Sequence, residues 1–117
     1  MSTELGQRAE QTAARHLQSL GMKIIDRNWR NRWCEIDIVA TDRDKVVHFV
    51  EVKYRRWSNF GSGFDYITTD KANRLRRAAG VWMAHSGRNG DFQIDVIAVA
   101  GDLGNASVDY LPNAVMG

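Results

Sequence analysis

Apolar and small residues recur at helical spacing in two segments of the chain. The first segment spans residues 3–20 and stops at Gly21, and the second spans residues 69–86 and stops at Gly87. Glycine is common just past a helix end because it adopts a left-handed backbone conformation without steric cost. The pattern therefore predicts one helix at the start of the chain and another in its latter half.

Two further segments, residues 34–41 and 46–54, are rich in Ile, Val and Phe, which is typical of strands. Turn-compatible polar residues separate them, so they predict a hairpin. Residues 22–29 begin as another strand. They run into a basic and aromatic stretch, residues 27–33, which we interpret as a loop.

The rest of the chain predicts two late strands and a loop. Residues 92–100 are apolar on both faces, and residues 107–111 form a candidate edge strand before Pro112. Residues 57–65 lack periodicity and contain two glycines, so they predict a mobile loop beside the hairpin. The predicted order is αβββαββ, and the predicted class is α/β.

Length and composition limit the classes of protein. The 117 residues, 44% of them hydrophobic, suffice for one ordinary core, so residues 1–117 are expected to form a single domain. A net charge of +2 is too small to indicate a nucleic-acid partner by itself. No apolar run approaches a membrane span and the start lacks the pattern of a secretion signal, so we expect a cytoplasmic protein with no membrane partner.

The cysteine and histidines predict no metal site. Cys34 has no second cysteine to pair with, so we interpret it as a small packed residue. The histidines are scattered without metal-ligand spacing, and we interpret them as incidental. They are His16, His48 and His85.

Glu10 is the first candidate for chemistry. Helical geometry puts it among small and apolar residues that should face the core. These are Gly6, Ala13, Ala14 and Leu17. A buried charge needs a cation, a donor or a proton. Alternatively, the helix is rotated so that Glu10 reaches solvent, and its position alone does not decide between the two.

The predicted hairpin brings further charges together. Alternation puts Glu51 and Lys53 on one face of the second strand, and Asp37 interrupts an apolar stretch of the first. If Thr41 pairs with Val47 across a three-residue turn, Asp37 lies opposite Glu51. A one-residue slip would put them on opposite faces.

Two adjacent carboxylates repel each other unless a cation lies between them, and magnesium prefers oxygen ligands. We therefore predict a site for Mg²⁺ (or Mn²⁺) formed by Asp37, Glu51 and the Val52 carbonyl. Lys53 could orient a water or neutralise charge on a phosphate, and Glu10 could bind the ion through water or complete a second ion site. The alternative is an ordinary surface ion pair between Glu51 and Lys53.

Several short motifs together resemble a known family. They are GQRAE at residues 6–10, RNWR at 27–30, EIDIVA at 35–40, FVEVKYR at 49–55, TTDK at 68–71 and QIDVIAV at 93–99. This set resembles the PD-(D/E)XK nuclease superfamily and, within it, the small YraN-type bacterial family related in fold to archaeal Holliday junction resolvases.

The resemblance implies a restriction-endonuclease-like three-layer α/β/α fold around a central mixed sheet. It implies that Asp37, Glu51 and Lys53 are catalytic positions and that Glu10 is the helix carboxylate. There are two departures: Ile36 stands where the superfamily name has Pro, and Cys34 stands where Gly is common.

Basic residues beside tryptophans flank the predicted site. Arginine contacts phosphates and tryptophan can stack on an unpaired base, although packing of tryptophan under arginine is the alternative. The residues predicted to bind nucleic acid are Arg27, Arg30, Arg32, Arg55, Arg56 and Lys71.

Three functions follow as hypotheses. The first is a magnesium-dependent nuclease acting on DNA in preference to RNA, with branched or other non-duplex substrates. The second is a non-catalytic nucleic-acid-binding module with the nuclease fold, and the third is an adaptor that binds a protein through exposed aromatics. Resolvases cut two symmetric strands as dimers, so a homodimer is an option, although no interface is visible in the sequence.

Overall fold

The structure, a computed structural model, describes residues 3–55 and 67–114. Its elements are α1 (Glu4–Ser19), β1 (Lys23–Arg30), β2 (Glu35–Thr41), β3 (Val47–Arg55), α2 (Thr69–Ser86), β4 (Phe92–Ala100) and β5 (Ser107–Leu111). The predicted order αβββαββ is confirmed. The loop predicted at residues 57–65 lies outside the described residues, as does Arg56.

The strands form one five-stranded mixed sheet in the order β1-β2-β3-β4-β5. Strands β3 and β4 are parallel, whereas the other three neighbouring pairs are antiparallel. A parallel pair needs a long crossover connection, and α2 lies in the connection between β3 and β4. The predicted α/β class with a mixed sheet is confirmed.

Helix α1 packs its stripe of small residues against one face of the sheet. The hydroxyl of Thr3 caps the helix by accepting a hydrogen bond from the Gly6 N–H at 3.0 Å. The alanines on the stripe are buried, which lets the helix approach the strands closely. This layer contains Ala9, Ala13, Ala14 and Leu17 of α1 with Ile38, Ala40, Val50, Ile97 and Val99 of the sheet.

Helix α2 covers the opposite face, so the fold has three layers, α/β/α. Thr68 caps its start by accepting a hydrogen bond from the Lys71 N–H at 3.1 Å, and Gly87 ends it with φ of 70°. This layer contains Ala72, Leu75, Ala78, Ala79, Trp82 and Met83 of α2 with Val39, Val47, Phe49 and Ile94 of the sheet. No helix in the described ranges is both long enough and apolar enough to cross a membrane.

The hairpin of β2 and β3 has the predicted register, with Thr41 paired to Val47 and Ile38 to Val50. Its turn closes with a hydrogen bond from the Asp42 N–H to the Val46 carbonyl at 3.2 Å. The carboxylate of Asp42 also accepts hydrogen bonds from backbone amides inside the turn. The register prediction is confirmed. Continuing this register one residue beyond the last pair, Ile38 with Val50, puts Asp37 opposite Glu51.

The prediction of a loop over residues 27–33 is wrong for its first half. Strand β1 continues through Arg30, which pairs with Glu35 of β2. Strand pairing with β2 and packing of Trp29 against the α2 layer outweigh the basic composition of this stretch. The ladder is still irregular, because Asn28 has a φ of 53° and stands opposite Asp37 in the register of its neighbours.

Candidate active site

Asp37 lies where the pairing between β2 and β3 ends. The last pair is Ile38 with Val50, and beyond it a carboxylate oxygen of Asp37 accepts a hydrogen bond from the Val52 N–H at 2.8 Å. The side chain thus takes the place of a backbone carbonyl as partner of the Val52 amide. The end of the ladder holds the carboxyl group between the two strands.

The carboxyl groups of Asp37 and Glu51 are in direct contact. Burial, the hydrogen bond with Glu51 and the negative charge of Glu51 raise the pKa of Asp37 to about 9, against the opposing effect of the Val52 N–H. Glu51 is itself buried, with 5% of its surface exposed. Unless a cation compensates the charge, Asp37 favours its protonated form at neutral pH.

Glu10 reaches this place from α1, which confirms that it faces the interior. Only 6% of its surface is exposed, and its negative charge also raises the pKa of Asp37. One carboxylate oxygen each from Glu10, Glu35 and Asp37 lie within 4.8 Å of one another. Glu35 was not predicted as a site residue, although it shares a strand face with Asp37 in the sequence pattern.

This acidic cluster could hold a metal ion. Oxygen ligands lie about 2.0–2.1 Å from Mg²⁺ and about 2.3–2.6 Å from Ca²⁺, so two oxygens on opposite sides of one ion are roughly 4–5 Å apart. A spread of 4.8 Å fits the larger ion directly. It would fit the smaller one after a contraction of about half an ångström or through a bridging water.

Two lysines approach Glu51 from different layers. The ammonium nitrogen of Lys53 lies 4.0 Å from Glu51 Oε2, and that of Lys71 lies closer, at 3.4 Å. Both lysine side chains are about one third exposed, at 31% and 33%. Lys53 is near Glu51 as predicted, whereas the approach of Lys71 depends on the packing of α2 and has no local signature in the sequence.

The described members of the predicted nucleic-acid-binding set lie on several elements, and some of them already contact other side chains. Arg27 donates a hydrogen bond to the side chain of Gln11 on α1 at 2.9 Å, whereas Arg30 pairs with Glu35 at 2.5 Å. Arg32 lies over the ring of Trp33 near α2, and Arg55 is exposed at the end of β3. Their binding of nucleic acid stays a prediction, as does coordination of a metal by the Val52 carbonyl.

His48 is not incidental, which corrects the sequence interpretation. It is buried, and its two ring nitrogens contact Asp95 at 2.6 Å and Asp42 at 2.8 Å. Asp95, which is fully buried, also accepts a hydrogen bond from the Tyr110 hydroxyl at 2.5 Å. The sequence contained a signal, a His on an apolar strand and an Asp on another, but their pairing depends on the parallel register of β3 and β4.

This network sets the charges of its members. Burial alone would lower the pKa of His48, but hydrogen bonds and charges from Asp95 and Asp42 outweigh it and raise that pKa. Burial would raise the pKa of Asp95, but hydrogen bonds from His48 and other donors lower it. The geometry is that of an imidazolium between two carboxylates.

Cys34 is half-buried against the α2 layer, as predicted for a packed residue. Burial raises the pKa of its thiol, with the positive charge of Lys71 acting in the opposite direction. A raised pKa disfavours the reactive thiolate.

A solved structure and several sequences are similar to this chain. The structure of Pyrococcus furiosus SfsA in complex with Ca²⁺ is 14% identical with a TM-score of 0.42, and the likeness covers 91% of this chain and 63% of that one. A UPF0102 protein of Mycobacterium sp. (strain KMS) is 44% identical over 97 residues, or 81% of this chain and 72% of the relative. Another UPF0102 protein, from Sulfurihydrogenibium sp. (strain YO3AOP1), is 40% identical over 113 residues, which are 96% of this chain and 94% of the relative.

The family described as "Uncharacterised protein family UPF0102" matches residues 9–99, a range that holds Glu10, Asp37, Glu51 and Lys53. This match agrees with the resemblance of the sequence motifs to the YraN-type family. The chain therefore belongs to the UPF0102 family.

Proposed function

We propose that this protein is a metal-dependent nuclease that cleaves phosphodiester bonds in DNA, including branched or other non-duplex structures. The observation that carries the proposal is the contact between Asp37 and Glu51 where β2 and β3 separate, with Lys53 beside it. Buried carboxylates in contact are costly to maintain without a cation, and their crowding supports a site that binds one.

The proposed cofactor is Mg²⁺ or Mn²⁺, held by Asp37, Glu51 and the Val52 carbonyl. Such an ion polarises a phosphodiester and generates a nucleophile from water. Glu10 contributes a further carboxylate from α1, and Glu35 extends the cluster to the edge of β2. These oxygen donors match the ligand preference of a hard divalent ion.

The lysines supply positive charge next to the carboxylates. Lys53 would orient the attacking water or stabilise the charge that develops on the phosphate. Lys71 also lies near Glu51 and would contact a phosphate approaching from the α2 side.

The proposed partner is DNA, favoured over RNA, in the cytoplasm. Arg27, Arg32 and Arg55 would contact phosphates along an approaching strand, and Arg30 and Arg56 would add to them. A homodimer would allow two symmetric cuts in a branched substrate.

Cleavage of labelled junction, flap, single-stranded and duplex DNA with Mg²⁺ tests the proposal. Lys53→Ala should reduce the rate roughly a hundredfold or more, because removing one preorganised stabiliser of transition-state charge costs about that much. The matched control is Lys23→Ala, which removes an exposed lysine of β1 and should leave the rate unchanged. Absence of cleavage on every substrate, or equal rates for Lys53→Ala and the parent, would reject the nuclease.

A second candidate is a nucleic-acid-binding module that keeps this fold without cleavage. The positions of Lys71 near Glu51 and Arg30 on Glu35 favour it, because protein cations already compensate two of the acidic groups. This module would bind the same substrates with an affinity that falls as salt increases, and would yield no cut products. If the protein binds the substrates in this way but cuts none of them, the second candidate is supported and the nuclease is rejected.

A further inference from the structure

A cleft of about 320 Å³ opens at the start of α2. It lies between the connection of β1 to β2 and the first turns of α2. Its lining consists of Arg32, Trp33, Asp70, Asn73, Arg74 and Arg77. The sequence also places Lys71, which approaches Glu51 at 3.4 Å, on the same part of α2. Cys34, next to Trp33 in the chain, is affected by the charges of both Arg74 and Glu51, so the cleft and the candidate active site are near each other.

The α2 side of the cleft is a basic helical face. Asp70, Arg74 and Arg77 are spaced four and three residues apart, so their side chains lie on one side of the helix. Asp70 forms an ion pair with Arg74 at 2.6 Å, which fixes that guanidinium and cancels one positive charge. Arg32 and Arg77 leave the cleft with excess positive charge, which suits an anion.

The opposite side of the cleft offers an aromatic ring. Trp33 is half-buried, and the guanidinium of Arg32 lies over its ring, 5.1 Å from the centroid. The face of the ring thus already contacts one planar group, the guanidinium of Arg32. A nucleobase is another planar group of suitable size, and aromatic side chains beside basic ones are how proteins bind unpaired bases.

We propose that this cleft binds one unpaired nucleotide, with its base stacked on Trp33 and its phosphate contacted by Arg77. Bases inside a duplex are stacked on each other and cannot enter, so the cleft selects strands with an unpaired segment. The proposal rests on the proposed function in one respect, since it names the kind of strand presented to Asp37 and Glu51. Binding itself does not require cleavage.

Fluorescence anisotropy in EDTA tests the cleft apart from cleavage. The probes are a labelled 12-nucleotide oligo-dT and a labelled 12-base-pair duplex. Trp33→Ala should weaken binding of oligo-dT about five- to a hundredfold, because stacking of one base contributes that much, and should change duplex binding less than about twofold. Trp33→Phe should restore most of the affinity, since it keeps an aromatic face.

A second pair of variants tests the basic side and covers the case in which Trp33→Ala is not folded. Arg77→Gln should weaken binding of oligo-dT at least about threefold, whereas Arg15→Gln, which removes an exposed charge of α1, should not. Thermal unfolding checks that the variants are folded.

Three results would overturn the proposal. One is equal loss of single-strand and duplex binding in Trp33→Ala, and another is no difference between Arg77→Gln and Arg15→Gln. The third is equally tight, Trp33-dependent binding of a 12-residue polyglutamate, which would identify an acidic-peptide site. Each can occur while cleavage still depends on Lys53, so failure of the cleft is distinguishable from failure of the nuclease.

Discussion

At the scale of single residues, Asp37 interacts differently with each of three neighbouring groups. It accepts a hydrogen bond from the Val52 N–H, shares a hydrogen bond with Glu51 and is repelled by Glu10. Because its pKa rises from an ordinary 3.8 to about 9, its contribution to stability is fully present below pH 3.8 and is lost as pH rises towards 9. Without a cation, ionised Asp37 therefore destabilises the fold.

Asp37→Asn should stabilise the protein in EDTA. The amide keeps an oxygen for the Val52 N–H, offers a donor to Glu51 and does not ionise. We expect the free energy of unfolding at pH 8 to increase by on the order of 2 kcal/mol, with little difference at pH 4, as measured by urea unfolding. Saturating Mg²⁺ should raise the melting temperature of the parent but not that of the variant.

Asp109→Asn is the matched control, since it neutralises an exposed carboxylate of β5. It should leave both stability and the response to Mg²⁺ unchanged. Destabilisation of Asp37→Asn at pH 8, or an undiminished response to Mg²⁺, would contradict the account of this carboxyl.

The charge on His48 stabilises the fold, whereas the charge on Asp37 destabilises it. Its raised pKa means that its contribution is fully present below pH 6.5 and is lost as pH rises through the folded-state value. The lowered pKa values of Asp42 and Asp95 mean that their contributions are present above pH 3.8 and are lost as pH falls through the folded-state values. The network is therefore most stabilising between about pH 4 and pH 6.5.

His48→Gln should cost on the order of 3 kcal/mol near pH 5.5, because it leaves the buried carboxylate of Asp95 without its cation. The cost should shrink as pH rises through the raised pKa of His48, because the parent then loses this charge as well. Urea unfolding across this pH range measures the difference. A cost that is the same at every pH would show that His48 acts by packing alone.

At the scale of elements, α2 connects the parallel strands and also presents Lys71 to Glu51. The cap at Thr68 fixes the first turn by bonding to the Lys71 N–H. Thr68→Ala should lower the free energy of unfolding by about 1 kcal/mol. Thr68→Ser should keep most of the stabilisation by the cap, because serine supplies the same acceptor. Urea unfolding at pH 7 tests this, and equal losses in the two variants would show that the hydroxyl does not act as a cap.

The elements with regular periodicity could be predicted from the sequence. The helices and the hairpin were predictable because burial of one face imposes a repeat that is visible locally. The end of β1 was not, since Arg27 and Arg30 lie on a strand whose stability depends on β2. The proximity of Glu10, Asp37, Glu51 and Lys53 was predictable because these charged residues interrupt apolar patterns, whereas their functional roles stay predictions.

Contacts that depend on tertiary packing were missed. Glu35 joins the cluster because α1 brings Glu10 beside β2, and His48 meets Asp95 because two strands distant in the chain are parallel neighbours. Neither contact can be predicted from the spacing of residues within one segment of the chain. The charges were visible in the sequence, but their partners were not.

At the scale of the whole molecule, all three layers converge on one place. Helix α1 supplies Glu10, the sheet supplies Asp37 and Glu51, and α2 supplies Lys71. A net charge of +2 conceals this arrangement, in which an acidic centre lies beside a basic cleft. Such a distribution would suit the proposed substrate, a polyanionic strand whose phosphate would meet the proposed metal ion at the acidic centre.

The central claim is that the contact between Asp37 and Glu51 forms a divalent-metal site. Anomalous diffraction from crystals of the protein soaked in Mn²⁺ tests it most directly. The account predicts an anomalous peak within coordination distance of carboxylate oxygens of both residues. Well-diffracting crystals in saturating Mn²⁺ that show no peak there would contradict it.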